Sequence, residues 1–297
     1  VPELPEVETA RRYIERALVG KRLLAVNNSL PKLLRDSPLP NLEPLVGQTL
    51  LSAGRRAKVL ILAFEGGLSL LVHFKLAGQW AILEHGGHRL VAGHPVPDPA
   101  GPYPHKSTHV TFEFEGGTIA YFSDVRQFGW LRVMPSDDVE SAIERFRFGP
   151  EGTGDLDAKA LGQTFARRSI AVKTLLLDQA FIAGLGNIYV DEVLFRSKVH
   201  PARIARSLTP GQRKAIFEAI PLVLAEGIAQ GGAKIVHNRA HPVNEFPAVH
   251  GRAGEPCFVC GAMIQKTRIG GRGTYFCPSC QKSPRAVPKP PVKIVTA

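Results

Sequence analysis

All four cysteines of the chain crowd into one stretch near its end. Cys257, Cys260, Cys277 and Cys280 are spaced as C-x2-C, sixteen residues, C-x2-C. Each C-x-x-C turn aims two thiolates at one point, and two such turns complete a tetrahedron, so the pattern predicts a tetrathiolate zinc site. Four thiolates leave no position open for water, which makes the metal structural rather than catalytic. The competing reading is two disulfides in a secreted domain. It fits poorly with a start, Val1-Pro2-Glu3-Leu4-Pro5-Glu6, that has neither a basic nor an apolar run, so no secretory signal is expected. Between the knuckles lie Lys266, Arg268 and Arg272 with Gly270, Gly271 and Gly273. The expected element is a β-hairpin, within residues 251–284, whose glycine tip brings Arg272 close to a phosphate backbone. A merely solvated hairpin is the alternative.

Charge supports the first of these. Lys and Arg number 37 against 26 Asp and Glu, a net +11, and from Arg252 to Ala297 the only acid is Glu255. A concentrated surplus beside a structured motif points to a polyanionic partner. With 44% hydrophobic residues the chain can fill a sizeable core. No apolar run is long enough for a membrane span. The Pro- and Lys-rich tail, residues 285–297, is expected to be disordered.

Periodicity divides the rest. Val7, Ala10, Ile14 and Leu18 recur at helical spacing over residues 5–18. Short β-type runs follow at 22–27, 59–64, 68–74, 109–114, 118–122 and 130–134, with Gly66-Gly67 and Gly116-Gly117 as hairpin turns. Residues 84–106 show no periodicity and read as a surface loop. His85, His88, His94 and His105 in that loop leave a second metal site open, a solvent-facing insertion being the alternative. Beyond 135 the pattern turns helical, with helices at 187–197 and 209–230. Thr209-Pro210 is a helix start, and Pro221 is expected to kink or split the last helix. The expected fold class is α+β: a β-sandwich with an N-terminal helix, then a helical domain and a zinc hairpin. The boundaries are 2–134, a linker at 135–150, 151–250, 251–284 and the tail.

Ala183-Gly184-Leu185-Gly186-Asn187-Ile188-Tyr189 is a tight glycine turn entering a helix, a ready anion site or simply a packing turn. With this motif and the zinc hairpin, Pro2-Glu3-Leu4-Pro5-Glu6-Val7-Glu8-Thr9 resembles the start of the formamidopyrimidine-DNA glycosylase and endonuclease VIII family. The three motifs stand in that family's order across residues 2–282, closer to the formamidopyrimidine branch. The resemblance implies a helix–two-turn–helix element and a bifunctional base-excision repair enzyme. Such an enzyme excises an oxidised base through an iminium on the N-terminal proline, then cuts by β- and δ-elimination. It implies Pro2 as nucleophile, Glu3 as acid/base and Lys58 near the phosphate and lesion. His73, Asn187 and Arg272 become phosphate contacts, Leu76 and Phe128 wedges, and Arg126 the reader of the orphaned base. It also implies one zinc ion on Cys257, Cys260, Cys277 and Cys280, with no redox or nucleotide cofactor. The partner it implies is double-stranded DNA bearing oxidised bases. A monomer in the bacterial cytoplasm, associated with the nucleoid, is expected.

Other readings of single residues stay open. Leu76 and Phe128 are core residues in the commoner reading, Lys58 a strand-edge lysine, His73 a satisfied core histidine. A proline inside a peptide bond has no amine, so Val1 is expected to be a start codon read literally and removed. Gln127 departs from the family's usual Arg. Residues 231–255, holding His237, His241 and His250, look shorter than the loop that covers 8-oxoguanine, which favours formamidopyrimidines or oxidised pyrimidines. The alternatives are an endonuclease VIII-like enzyme and a catalytically silent zinc protein binding DNA on the same scaffold. A zinc-ribbon protein binding RNA or protein explains the cysteines but not the N-terminus.

Overall fold

In the computed structural model, residues 1–154, 156–236 and 239–283 are described. Helix α1 (Leu4–Leu18) opens the chain. Its Val7, Ala10, Ile14 and Leu18 are all fully buried, so the helical stripe is the face that enters the core. Nine strands follow: β1 (Leu23–Asn28), β2 (Leu50–Arg56), β3 (Val59–Phe64), β4 (Leu68–His73), β5 (Gly78–Leu83), β6 (Arg89–Gly93), β7 (Thr108–Phe114), β8 (Thr118–Asp124) and β9 (Trp130–Pro135). They form two antiparallel sheets, ordered β1-β7-β8-β5-β6 and β2-β3-β4-β9. Both sheets and α1 contribute to one core, with Trp80, Phe112 and Phe122 from one sheet and Leu60, Leu70 and Val133 from the other.

The helical half holds α2 (Val139–Glu144), α3 (Ala158–Arg167), α4 (Val172–Leu176), α5 (Asn187–Arg196) and α6 (Pro210–Ala229). A second core gathers around Phe165, Tyr189 and Ile220. Leu4 belongs to this core although its helix serves the other, so the first turn of α1 straddles both halves. Thr209 caps α6 through a capping box with Gln212, as the Thr-Pro start predicts. A short ribbon, β10 (Ile235–Val236) with β11 (Arg239–Ala240), precedes the zinc hairpin of β12 (Gln265–Ile269) and β13 (Arg272–Phe276). Gly270 and Gly271 turn that hairpin with φ of 55° and 76°. Two successive positive φ values define the type I′ geometry that matches strand twist.

Four expectations change. Residues 84–106 are not wholly irregular: β6 lies inside them, paired to β5 from Gln79↔Gly93 to Leu83↔Arg89. Its alternation was masked by glycines and histidines. Strands β2 and β5 also escaped, because Gly54, Arg55 and Arg56 dilute one and Gly78 with Gln79 the other. Pro221 does not split α6, which runs unbroken through it. Finally, residues 135–150 are more than a linker, since Phe146 and Phe148 stack on each other and Phe146 stacks on Trp130. The tail at 285–297 and His237 lie outside the described residues.

Candidate active site and nucleic-acid interface

The cleft between the halves is built around the first residues of the chain. Glu3 is the N-cap of α1, its backbone N–H donating to Glu6 Oε2 at 2.8 Å in a capping box. Its own carboxylate crosses to the other half. There it accepts the N–H of Ile188 at 2.9 Å and of Tyr189 at 3.3 Å, at the start of α5. The positive end of α5 thus holds a carboxylate that is only 1% exposed. The glycine turn permits this approach. A Cβ on Gly186 would stand 2.3 Å from Glu3 Cδ, and one on Gly184 (φ +96°) 2.2 Å from Leu4 Cδ1. Leu4 N–H donates to Gly184 O at 3.2 Å, closing the junction. Pro2, buried beside Glu3, lines a cavity of about 310 Å³ together with Lys58, His73, Asn187 and Arg272.

Lys58 comes from the β2–β3 hairpin, not from a strand edge facing solvent. Its Nζ donates to Leu185 O at 2.7 Å, in the glycine turn. Burial pushes its pKa down, opposed by the carboxylates of Glu3 and Glu6. The hairpin carrying it is pinned by Glu151. That carboxylate accepts from Arg55 Nη1 (2.8 Å), Arg56 Nη1 (2.6 Å) and the Ala57 N–H (2.6 Å). Burial works against the charge of Glu151, yet Arg55, the Ala57 amide and Arg56 hold its pKa below the ordinary value.

His73 accepts the Lys75 N–H at Nδ1, 2.9 Å away, which leaves Nε2 to carry the ring proton as a donor. Burial, with the nearby Lys75, Lys58 and Arg132 charges, lowers its pKa to about 3, so the ring is neutral at physiological pH. Asn187 Nδ2 donates to Gly273 O at 2.9 Å, and its buried Oδ1 is unpaired among the described residues. Arg272, next to that carbonyl, is exposed at the start of β13. The four clefted side chains therefore come from three different parts of the fold and meet around Pro2.

Leu76 is half-buried on the cleft wall, and Phe128 is 48% exposed, so neither is a core residue. Arg126 lies over the Phe128 ring at 5.1 Å, in an exposed β8–β9 loop where Gln127 has φ of 56°. Fully buried Asp124 shapes that loop by accepting the N–H groups of Arg126 (3.0 Å) and Gly129 (2.7 Å). The Cys257, Cys260, Cys277 and Cys280 Sγ atoms all lie within 4.8 Å of one another. Cys260 is 3.5 Å from both Cys277 and Cys280. Zn–S bonds of about 2.3 Å give tetrahedral edges of roughly 3.8 Å, so the cluster suits one structural zinc. Among the described residues this is the one group of three or more His, Cys, Asp or Glu with metal-holding geometry. His250 turns inward onto Asp191 at 2.7 Å rather than lining a lesion loop.

Three functional candidates were missed from sequence. Glu6 accepts from Tyr189 Oη (2.8 Å) and the Ala233 N–H (2.9 Å), tying α1 to α5 and to the turn before β10. Burial and then the Glu3 charge raise its pKa. Its spacing from Glu3, that of a capping box, was the available signal. Glu151 gave none, because its partners Arg55, Arg56 and Ala57 lie more than 90 residues away, whereas Asp124 bonds the amides of Arg126 and Gly129 two and five residues on.

Models of three domains match in order: the formamidopyrimidine-DNA glycosylase N-terminal domain over residues 1–131, its H2TH domain over 148–238, and the zinc finger found in FPG and IleRS over 254–282. The formamidopyrimidine-DNA glycosylase of Pelotomaculum thermopropionicum is 38% identical over 95% of this chain and 99% of its own. That of Streptococcus mutans is 36% identical over 95% and 100%. The Lactococcus lactis Fpg in complex with DNA containing an abasic site superposes with a TM-score of 0.83 at 31% identity, covering 95% of this chain and all of that one. The same enzyme with DNA containing Fapy-dG gives 0.82 at 32%, with the same coverage. With three domain models matching in order over most of its length, an α+β architecture and an N-terminus hydrogen-bonded to the start of α5, the chain belongs to the formamidopyrimidine-DNA glycosylase family.

Proposed function

We propose that this protein is a bifunctional DNA glycosylase and AP lyase that excises oxidised bases from double-stranded DNA, formamidopyrimidines foremost. The observation that carries this reading is the Glu3 carboxylate, fixed beside Pro2 by the N-terminus of α5, at the floor of a cleft lined with Lys58, His73, Asn187 and Arg272. The Pro2 nitrogen attacks C1′ of the flipped nucleotide, and the bond from C1′ to the base breaks. The base leaves with the electron pair of that bond and is protonated from solvent. Glu3 takes the proton the Pro2 nitrogen gives up and passes it to the sugar ring oxygen, so the bond from C1′ to that oxygen breaks and an iminium between Pro2 and C1′ remains. The iminium acidifies the C2′ hydrogen, and β- then δ-elimination expel the two phosphates. Lys58, Asn187, Arg272 and the Nε2–H of His73 grip phosphates around the extruded nucleotide, while Leu76, Phe128 and Arg126 fill and read the gap. The zinc ion holds the hairpin that carries Arg272.

A free secondary amine at Pro2 is part of the proposal, so Val1 is removed in the working protein. The relatives' bacterial sources and the Lactococcus complexes with lesion DNA support a bacterial repair enzyme. We place it in the cytoplasm as a monomer. No helix among the described residues is long and apolar enough to cross a membrane. The short stretch at 231–255, read against the longer loop that covers 8-oxoguanine, supports formamidopyrimidines and oxidised pyrimidines as the preferred lesions. Borohydride trapping on a panel of lesion duplexes, with intact-mass analysis of the protein, tests the reading. The expected result is a covalent adduct that Pro2→Gly abolishes and a mass lacking Val1. An adduct that survives Pro2→Gly, or an active protein retaining Val1, overturns it.

A further inference from the structure

One buried carboxylate lies a single helical turn beyond Asn187 and touches none of the groups assigned above to DNA. Asp191 is 1% exposed on α5. Its Oδ1 accepts from Lys173 Nζ at 2.7 Å, on α4, a side chain with no exposure at all. Its Oδ2 accepts from His250 Nδ1 at 2.7 Å and from the Tyr275 backbone N–H at 3.0 Å. Lys173 Nζ also donates to Gly273 O at 3.0 Å, the carbonyl that Asn187 Nδ2 reaches at 2.9 Å. The start of β13 is therefore docked on α5 by three donor–acceptor links. One comes from Asp191 itself, one from the lysine Asp191 neutralises, and one from Asn187.

The economy of this arrangement is informative. Burying an ion pair is a weak route to stability, because desolvation offsets the attraction. An apolar pair would hold α4 against α5 equally well. An apolar pair would not grip a carbonyl and an amide on either side of Thr274, and so would not fix the rotation of the strand that begins with Arg272. Elsewhere the hairpin is anchored at its far end, where Gln281 Oε1 accepts the Cys277 N–H and Nε2 donates to Val199 O. That leaves the Arg272 end to the Asp191 hub.

We propose that Asp191 is a positioning residue for the DNA clamp: through Lys173 and the Tyr275 amide it sets the start of β13 against α5, so that Arg272 and Asn187 meet the same phosphate backbone in register. The inference rests on the functional reading above. It makes Asp191 act through Arg272 without touching DNA.

A double-mutant cycle on the full-length, zinc-loaded protein tests it. Affinity is measured for a duplex carrying a tetrahydrofuran abasic analogue, with zinc content and thermal melting recorded in parallel. Asp191→Asn is expected to weaken binding about 30-fold in the wild-type background and by no more than about 3-fold in an Arg272→Ala background, a coupling of the size contacting groups show. KM for excision rises while kcat holds, and zinc stays at one ion per chain. Equal losses in the two backgrounds overturn the proposal. Should Asp191→Asn shed zinc or lose cooperative melting, the paired change Lys173→Met with Asp191→Leu, which buries no unmatched charge, enters the same cycle. It is expected to keep zinc and show the same coupling, and loss of zinc or fold there too overturns the proposal, making Asp191 a requirement of folding. A wild-type protein that neither binds nor traps the duplex refutes the functional reading, and this one with it, by a separate signature.

Discussion

Gly186→Ala displaces Glu3 without changing any side chain assigned above to the phosphates or the gap. The backbone at Gly186 is extended (φ −138°, ψ −163°), so alanine adds no dihedral strain. The added Cβ would instead stand 2.3 Å from Glu3 Cδ and 2.6 Å from both carboxylate oxygens. Ordinary contact for such atoms is roughly 3.5 Å, so the carboxylate must retreat by about 1 Å. It has little room, being held by the Ile188 and Tyr189 amides. Retreat lengthens both charge-assisted bonds, each worth about 1.5–3 kcal/mol, so a stability loss of about 3 kcal/mol is expected. A 1 Å misplacement of a catalytic group costs on the order of 100-fold in rate. Single-turnover excision on a formamidopyrimidine duplex should therefore slow at least about 100-fold, while affinity for an abasic-analogue duplex changes by less than about 5-fold. Zinc content and melting measured on the same preparation separate this from unfolding. A variant that melts cooperatively and excises within about 3-fold of wild type would refute the claim that the position of Glu3 matters.

Glu151→Gln should cost about 2 kcal/mol at pH 7 by weakening the Arg55, Arg56 and Ala57 contacts. Because the folded pKa of Glu151 is depressed, its contribution is present above the ordinary value of 4.5 and fades as pH falls through the folded value. Chemical denaturation from pH 7 down to about 3 should show wild type and variant converging, and a constant gap contradicts the argument. His73, with its pKa near 3, stays neutral, so His73→Gln should leave the shape of the binding–pH profile from about pH 5.5 to 8 unchanged. A profile that changes between the two proteins in that range shows that the ring titrates. Phe128→Ala should leave stability within about 0.5 kcal/mol, as its side chain is half exposed, yet weaken duplex binding about tenfold. A drop in melting temperature with unchanged affinity would return Phe128 to the core.

What could be read from the sequence was local. Helix α1 announced itself because four apolar residues share one face, and the zinc knuckles because cysteine spacing is itself geometry. The glycine turn was visible, but not the reason for it, since Gly186 makes room for a side chain 183 positions earlier. Glu151 and Asp191 were invisible for the same cause. Their partners, Arg55 and Arg56 or Lys173 and the Tyr275 amide, come together only when separate elements pack. Strand β6 was lost in residues whose composition reads as a loop, although its partner β5 and the short His94–Gly78 backbone contact fix it in the sheet. The parts of the site that follow from the backbone period were legible. The parts that follow from tertiary approach were not.

The Glu3 carboxylate finds its amide partners 185 and 186 residues further along the chain. During synthesis the front of the polypeptide leaves the ribosome long before Ile188 and Tyr189 exist, and until then the carboxylate is a loose end in water. Contacts so remote close late in folding, after the loop entropy between them has been overcome. A chain cut short before Ile188 therefore lacks the two amides that hold the Glu3 carboxylate. The acid at the front of the chain is thus set in place by the helical half, and the two halves have to meet before it is held.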